Sequence, residues 1–358
     1  MKVALVTCYN QPDYIRAITL RQAASKLADI VVIKNEQKGL IRYLEVIYKL
    51  IKTRLKEHPD VYILTFRAYE IFPFARLITL GKPLVYDEFI NPYEWLVLEH
   101  HKLKTGSLPA KIFLWTYSRL ANTATLIMTD TKSHANFSAQ LTGIRPEKFM
   151  PVIVGSDEVT FQPVKKLRSQ STKARLQVFY YGNMLPLHGL STVLEAAVSI
   201  KDEPIDFTFV GGGEKAAGMC DQASYLGANV RHIAWIEYTN LPEAIAQADV
   251  CLAGPFGGTV QSRYVVTGKA YQFLSMSMPT IIGKNEESSI FTDKENALLV
   301  KQADVASLVE VLVWAENHRD KLAQIGKAGR KLFEKKLSHG VVENQLELIL
   351  TRLNAKYR

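Results

Sequence analysis

The feature that most constrains this chain is an alternation that runs, stops and starts again. Short apolar, β-branched runs are expected to be strands at 2–7, 30–34, 61–66, 83–87, 124–129 and 149–154. Helical spacing occupies about 13–27, 39–57, 92–102, 110–121 and 132–142 between them. A polar, basic stretch without apolar period, QPVKKLRSQSTKAR at 162–175, reads as a linker. The pattern then resumes, with strands expected at 176–181, 206–210, 229–233, 249–252 and 279–283. Leu190, Val193, Leu194, Ala197 and Val198 mark a clear helix face. Further helices are expected at about 214–226, 241–248 and 268–277, and the tail from 303 is helical with breaks near 317–318 and 338–340. Asn240, with Glu243 three residues on, predicts a capping box. Apolar strands alternating with helices specify parallel sheets covered on both faces. The expected fold class is therefore α/β, two Rossmann-like doubly wound domains whose ligand cleft faces the carboxyl ends of the strands.

Composition removes several alternatives. Three cysteines in 358 residues, Cys8, Cys220 and Cys251, show no CxxC spacing, so neither a disulfide framework nor a zinc knuckle is indicated. They are expected to be buried small hydrophobes in a reducing compartment. No apolar run reaches the ~20 residues of a membrane-spanning helix, and the opening MKVALVTCYN is too brief for a signal peptide. The expected location is cytoplasmic. The net charge is +9 and uneven: residues 1–165 hold 22 basic and 15 acidic side chains, the remainder 22 and 20. A basic first half favours anionic partners, but no RNA-binding signature is present.

Three turns in the second half could meet a phosphate. In YYGNMLPLHGLSTVLEAA, 180–197, Gly182 and Asn183 follow a strand, His188 stands at the mouth and Gly189 opens a helix. A plain turn with a capping histidine fits the spacing equally well. In FVGGGE, 209–214, Gly211 and Gly213 allow close backbone approach, although tight turns use glycine regardless. In VVTGKAYQFLSMSMPTIIG, 265–283, Thr267 or Gly268 is expected to cap a helix beginning at Lys269. Gln272 lies on the same face one turn later, and Arg263 upstream is a second candidate cation. The bland reading of these residues is a solvated helix surface.

These segments carry a resemblance. Residues 176–335 resemble the donor-binding domain of glycosyltransferase family 4, the retaining GT-B enzymes. YYGNMLPLHG is similar to that family's GR…KG loop in its PLHG variant, FTFVGGGE to its GxG strand end, and GKAYQFLSMSMPTII to NKVYEALAxGxPVI. VRHIAWIEYTNLPEAIAQADVCL, 230–252, and TLIMTDTKSHANF…GIRPEKFMPVIVGSD, 125–157, resemble further family segments. The resemblance implies that His188 and Gly189 approach the donor diphosphate and that Lys269 sits beside the matching helix. Gln272 and Tyr264 stand where the family has the two acids of its Glu-x7-Glu pair. It further implies GT-B domains at 1–165 and 166–340, with a C-terminal helix, 341–358, crossing back onto the first domain.

The family's acceptor-side histidine is missing. At that place the chain has Asp87 and Glu88, in PLVYDEFINPYEW, and a carboxylate there is expected to assist the acceptor hydroxyl. A helix cap is the alternative. Metal-ligand spacings such as HExxH are absent, and no resident cofactor is expected, the nucleotide-sugar being a substrate. The implied function is retaining, metal-independent sugar transfer to a glycan or lipid-linked acceptor, as in polysaccharide biosynthesis. A nucleotide-sugar epimerase of the same fold and a nucleotide-binding scaffold are alternatives. Finally, KGLIRYLEVIYKLIKTRLK, 38–56, has six basic residues and one acid. Leu40, Tyr43, Leu44, Ile47, Leu50 and Ile51 are expected to face the sheet, with the cations turned toward solvent or the headgroups of an anionic membrane.

Overall fold

The computed structural model describes residues 1–164 and 175–357. Most of the expected linker lies outside the described residues. Along the chain come β1 (Lys2–Thr7), α1 (Ile15–Leu27), β2 (Asp29–Lys34), α2 (Ile41–Lys56), β3 (Val61–Leu64), α3 (Phe72–Ile78), β4 (Leu84–Asp87), α4 (Leu108–Ala121), β5 (Leu126–Thr129), α5 (Lys132–Thr142) and β6 (Phe149–Pro151). There follow β7 (Leu176–Tyr181), α6 (Leu190–Ser199), β8 (Ile205–Val210), α7 (Gly213–Tyr225), β9 (Val230–Ile233), α8 (Leu241–Ala246), β10 (Val250–Leu252), α9 (Gly268–Ser275), β11 (Thr280–Gly283), β12 (Leu298–Val300), α10 (Val305–Asn317), α11 (Arg319–Lys336) and α12 (His339–Tyr357).

The first unit comprises Met1–Gly155 and His339–Arg358, and the second Ser156–Ser338. The division falls before 165 because Ser156–Phe161 joins the second unit. Phe161 is fully buried, and its carbonyl accepts from Ser275 Oγ at 2.9 Å.

In the first unit six parallel strands run in the order β2-β1-β3-β4-β5-β6. One face of this sheet packs against α2, α3, α4 and α5 through Val46, Leu50, Phe72, Tyr117 and Ala135. The other face packs against α1 and α12 through Leu20, Val342 and Leu346, so the C-terminal helix belongs to this unit. Ser107 and Thr131 cap α4 and α5 by accepting from the backbone N–H of Ala110 and His134. Residues 92–102 differ from the expected helix, being a π-helical turn over Glu94–Glu99.

The second unit is also a six-stranded parallel sheet, in the order β12-β11-β10-β7-β8-β9. This is the Rossmann order, and its direction of winding reverses between β7 and β10. Cys220 lies in its core, and Cys8 and Cys251 are buried as well. β12 and α3 are not among the elements the apolar pattern predicts. The capping box at Asn240 does not form. Tyr238–Asn240 is a 3-10 turn running straight into α8, which leaves Asn240 with helical dihedrals and no side-chain cap.

The outward face of α2 is the main departure from expectation. Leu50 faces the sheet and Tyr43 and Ile47 pack partly against it, but Leu40, Leu44 and Ile51 are exposed and Val46, not among the expected residues, is buried instead. The buried stripe of α2 is Arg42, Val46 and Leu50, because Arg42 turns inward to Glu70, 2.6 Å away.

Candidate active site

The carboxyl ends of β7 and β10 flank the switch point of the second sheet, where a doubly wound fold opens its ligand crevice. Gly182 leaves β7 with φ +133°. A Cβ on Gly182 would lie 3.6 Å from Lys269 Nζ and 3.7 Å from His188 Cε1, so the three residues meet at one point. Gly211, at φ +90°, presses on the carbonyl of Gly182, which a Cβ would meet at 2.7 Å. Gly189, at φ +62°, packs on the loop after β10, where a Cβ would meet the Phe256 carbonyl carbon at 2.4 Å. The N–H of Gly257 in that loop donates to Leu187 O at 2.9 Å. Gly213 has open space around it at the start of α7, and Asn183 is exposed.

Lys269 is the second residue of α9, after Thr267 at the N-cap and Gly268. Thr267 gives no side-chain cap, because its hydroxyl donates to Ala253 O at 2.8 Å. Contrary to a solvated helix surface, Lys269 and Gln272 are both buried. Burial pushes the Lys269 ammonium down to about 7. Burial, and then the Lys269 charge, hold His188 well below the usual imidazole value, so it is neutral at physiological pH. Its buried Nδ1 has no hydrogen-bond partner. An uncharged His188 therefore offers a hydrogen bond rather than a positive charge.

Gln272 Oε1 accepts from the hydroxyl of Tyr181. Tyr264 is buried. Arg263 is two-thirds exposed and held by Glu286 at 3.0 Å, in a surface pair away from the buried Lys269. The sequence reading missed Tyr180 and Tyr181, which hold the Lys269 and Gln272 side chains. Their signal was present in the aromatic pair that ends β7 directly before Gly182.

In the first unit, Asp87 and Glu88 are buried and paired with neighbouring side chains, not open carboxylates at a strand end. Both are 1% exposed. Arg16 grips Asp87 through Nε at 2.8 Å and Nη2 at 2.7 Å, while its Nη1 donates to Val152 O. Glu88 accepts from Tyr117 and Ser138 and lies 3.5 Å from His134 Nε2. His134 Nδ1 reaches Asp130 at 2.7 Å. Burial alone would pull His134 down, but Asp130 and Glu88 outweigh it and raise it to about 10. A buried imidazolium between two carboxylates neutralises charge inside the unit. The i,i+4 spacing of Asp130 and His134 was the available signal.

Residues 175–317 match the family described as glycosyl transferases group 1. The chain carries a glycosyl transferase group 1 domain. No curated protein matches the chain in sequence. Among solved structures, HepE of Anabaena, in complex with UDP and glucose, is similar with a TM-score of 0.74 and 16% identity over 98% of this chain and 100% of that one. Sucrose-phosphate synthase from Thermosynechococcus elongatus has a TM-score of 0.74 and 15% identity over 99% and 100%. The lipopolysaccharide outer core galactosyltransferase WaaB, in its apo form, has a TM-score of 0.64 and 10% identity over 98% and 99%. These likenesses establish the GT-B fold, and the group 1 domain sets the enzyme class as glycosyl transfer. Among the described residues, no helix is long and apolar enough to cross a membrane.

Proposed function

We propose that the chain transfers a sugar from a nucleotide-sugar donor to a glycan or lipid-linked acceptor, with retention of configuration and without a metal ion, in the cytoplasm at an anionic membrane surface. The observation that carries the donor half is the convergence of Lys269 and His188 on Gly182 at the switch point. Three glycine turns there bring backbone close to a common point. The adjacent cation is desolvated, so a diphosphate arriving beside it restores the ammonium and gains a strong charge-assisted bond. Neutral His188 supplies a donor through the ring nitrogen it protonates. Gln272 serves a ribose hydroxyl by sharing the amide that Tyr181 now holds. HepE, solved with UDP-glucose, supports a uridine nucleotide as the first donor to try.

The charge developing on the leaving diphosphate is met by Lys269 and helix N-termini, which need no reorganisation during the reaction. The resemblance of 180–197 and 268–282 to the retaining family supports retention. The test is a thermal-shift panel of nucleoside diphosphates and their sugars. A ligand at 100 times its Kd stabilises by about 2.7 kcal/mol. Stabilisation by one diphosphate and its sugar is expected, and the absence of any shift across the panel overturns the reading.

A further inference from the structure

The first unit packs α2, α3 and α4 on one face of its sheet, with α2 against α3. All three turn large apolar side chains to solvent. Leu44 and Tyr48 on α2 are 72% and 65% exposed, and Leu77 on α3 is 67% exposed. Leu55 on α2 and Phe74 on α3 extend the same layer, and Ile112 and Trp115 are exposed on α4. Arg54 Nη2 donates to Leu80 O at 3.2 Å, which ties the end of α2 to α3. Monomeric soluble proteins rarely leave contiguous apolar surface of this kind uncovered.

The charge of the layer says what covers it. The three helices together contain eight Lys and Arg residues, of which Arg42 turns inward to Glu70, and one carboxylate, Glu45. Glu45 is spent on the N–H groups of Glu36 and Gln37 and on Lys49. Lys52 and Lys56 stand exposed beside Tyr48 and Leu55 on α2. A second copy of the chain would press cation against cation. An anionic bilayer meets both demands, taking the apolar side chains into its acyl boundary and the cations among its headgroups.

We infer that the outer layer formed by α2, α3 and α4 is an insertion surface for an anionic lipid bilayer. The inference rests on the proposed membrane-side acceptor and deepens it: attachment comes from apolar insertion, with the cations selecting the lipid. Salt screens the cations but not the insertion.

The test uses the full chain and phosphatidylcholine vesicles with and without phosphatidylglycerol, at low and high salt. Wild type should sediment with the anionic vesicles and retain part of its binding at high salt. Leu44→Ser/Tyr48→Ser/Leu77→Ser should lower partitioning by about tenfold or more. Lys52→Glu/Lys56→Glu should lose the preference for anionic lipid. Wild type left in solution with anionic vesicles overturns the inference. So does binding fully released by salt and untouched by the Ser variant, or self-association of wild type that the Ser variant abolishes. The thermal shift with UDP is measured on every protein. Vesicle binding without a UDP shift would sink the donor reading and leave this one standing. A UDP shift kept by the Ser variant shows that it folds.

Discussion

Lys269 holds its Nζ over the ring of Tyr180, 5.2 Å from the centroid. The Tyr180 hydroxyl donates to the carbonyl of His188 at 2.6 Å. One residue of β7 thus fixes both the cation and the turn that faces it. The ring face partly compensates a desolvated ammonium, and the free protein holds that charge weakly.

Lys269→Met should therefore separate binding from stability. Diphosphate affinity should fall by about 1.5–3 kcal/mol, the range for hydrogen bonds to charged groups. The unliganded variant should melt no lower than wild type at pH 6, because Met fills the same space without a buried charge. Calorimetric titration and thermal melts check the two halves, and equal diphosphate affinity in both proteins would refute the proposed bond from Lys269 to the diphosphate.

The pH dependence follows from the same group. Lys269 sits at about 7 in the folded protein against 10.5 ordinarily, so between those values the unfolded chain binds a proton that the folded one releases. Stability of the second unit should rise with pH across that window, and Lys269→Met should lack the rise. Diphosphate affinity relative to the Met variant should instead strengthen as pH falls through 7. His188→Gln should keep that profile, since the neutral imidazole contributes no charge in this range.

Gly189 and Gly213 make a contrasting pair. Both have positive φ, but a methyl on Gly189 would strike the Phe256 backbone while Gly213 faces open space. Gly189→Ala should cost about 3 kcal/mol or more and weaken diphosphate binding, whereas Gly213→Ala should cost about 1 kcal/mol from strain alone. Urea unfolding of the two variants tests this, and equal losses would count against the close loop packing.

In the first unit, His134→Gln removes a cation held between Asp130 and Glu88. The loss should be about 3 kcal/mol near pH 6, where the imidazolium contribution is complete. His134 is raised to about 10, so the difference from wild type should be full below 6.5 and shrink as pH climbs toward 10. A difference independent of pH would show that His134 acts through packing instead.

The sequence by itself determined the two parallel sheets, most helix limits and the glycine turns of the second unit, because these follow from local periodicity and from backbone conformations only glycine takes readily. It also placed Lys269 and Gln272 on one helix face. Tertiary structure decided what those residues are. Lys269 becomes a weakly held cation because β7 and α9 close over it, and its partner Tyr180 is 89 positions away in sequence. Asp87 and Glu88 read as exposed carboxylates at a strand end until Arg16 and His134, 71 and 46 positions away, take them into the interior. The outward apolar face of α2 was hidden for the same reason. Helical spacing shows that a stripe exists, but only the inward pull of Glu70 on Arg42 decides which stripe the sheet covers.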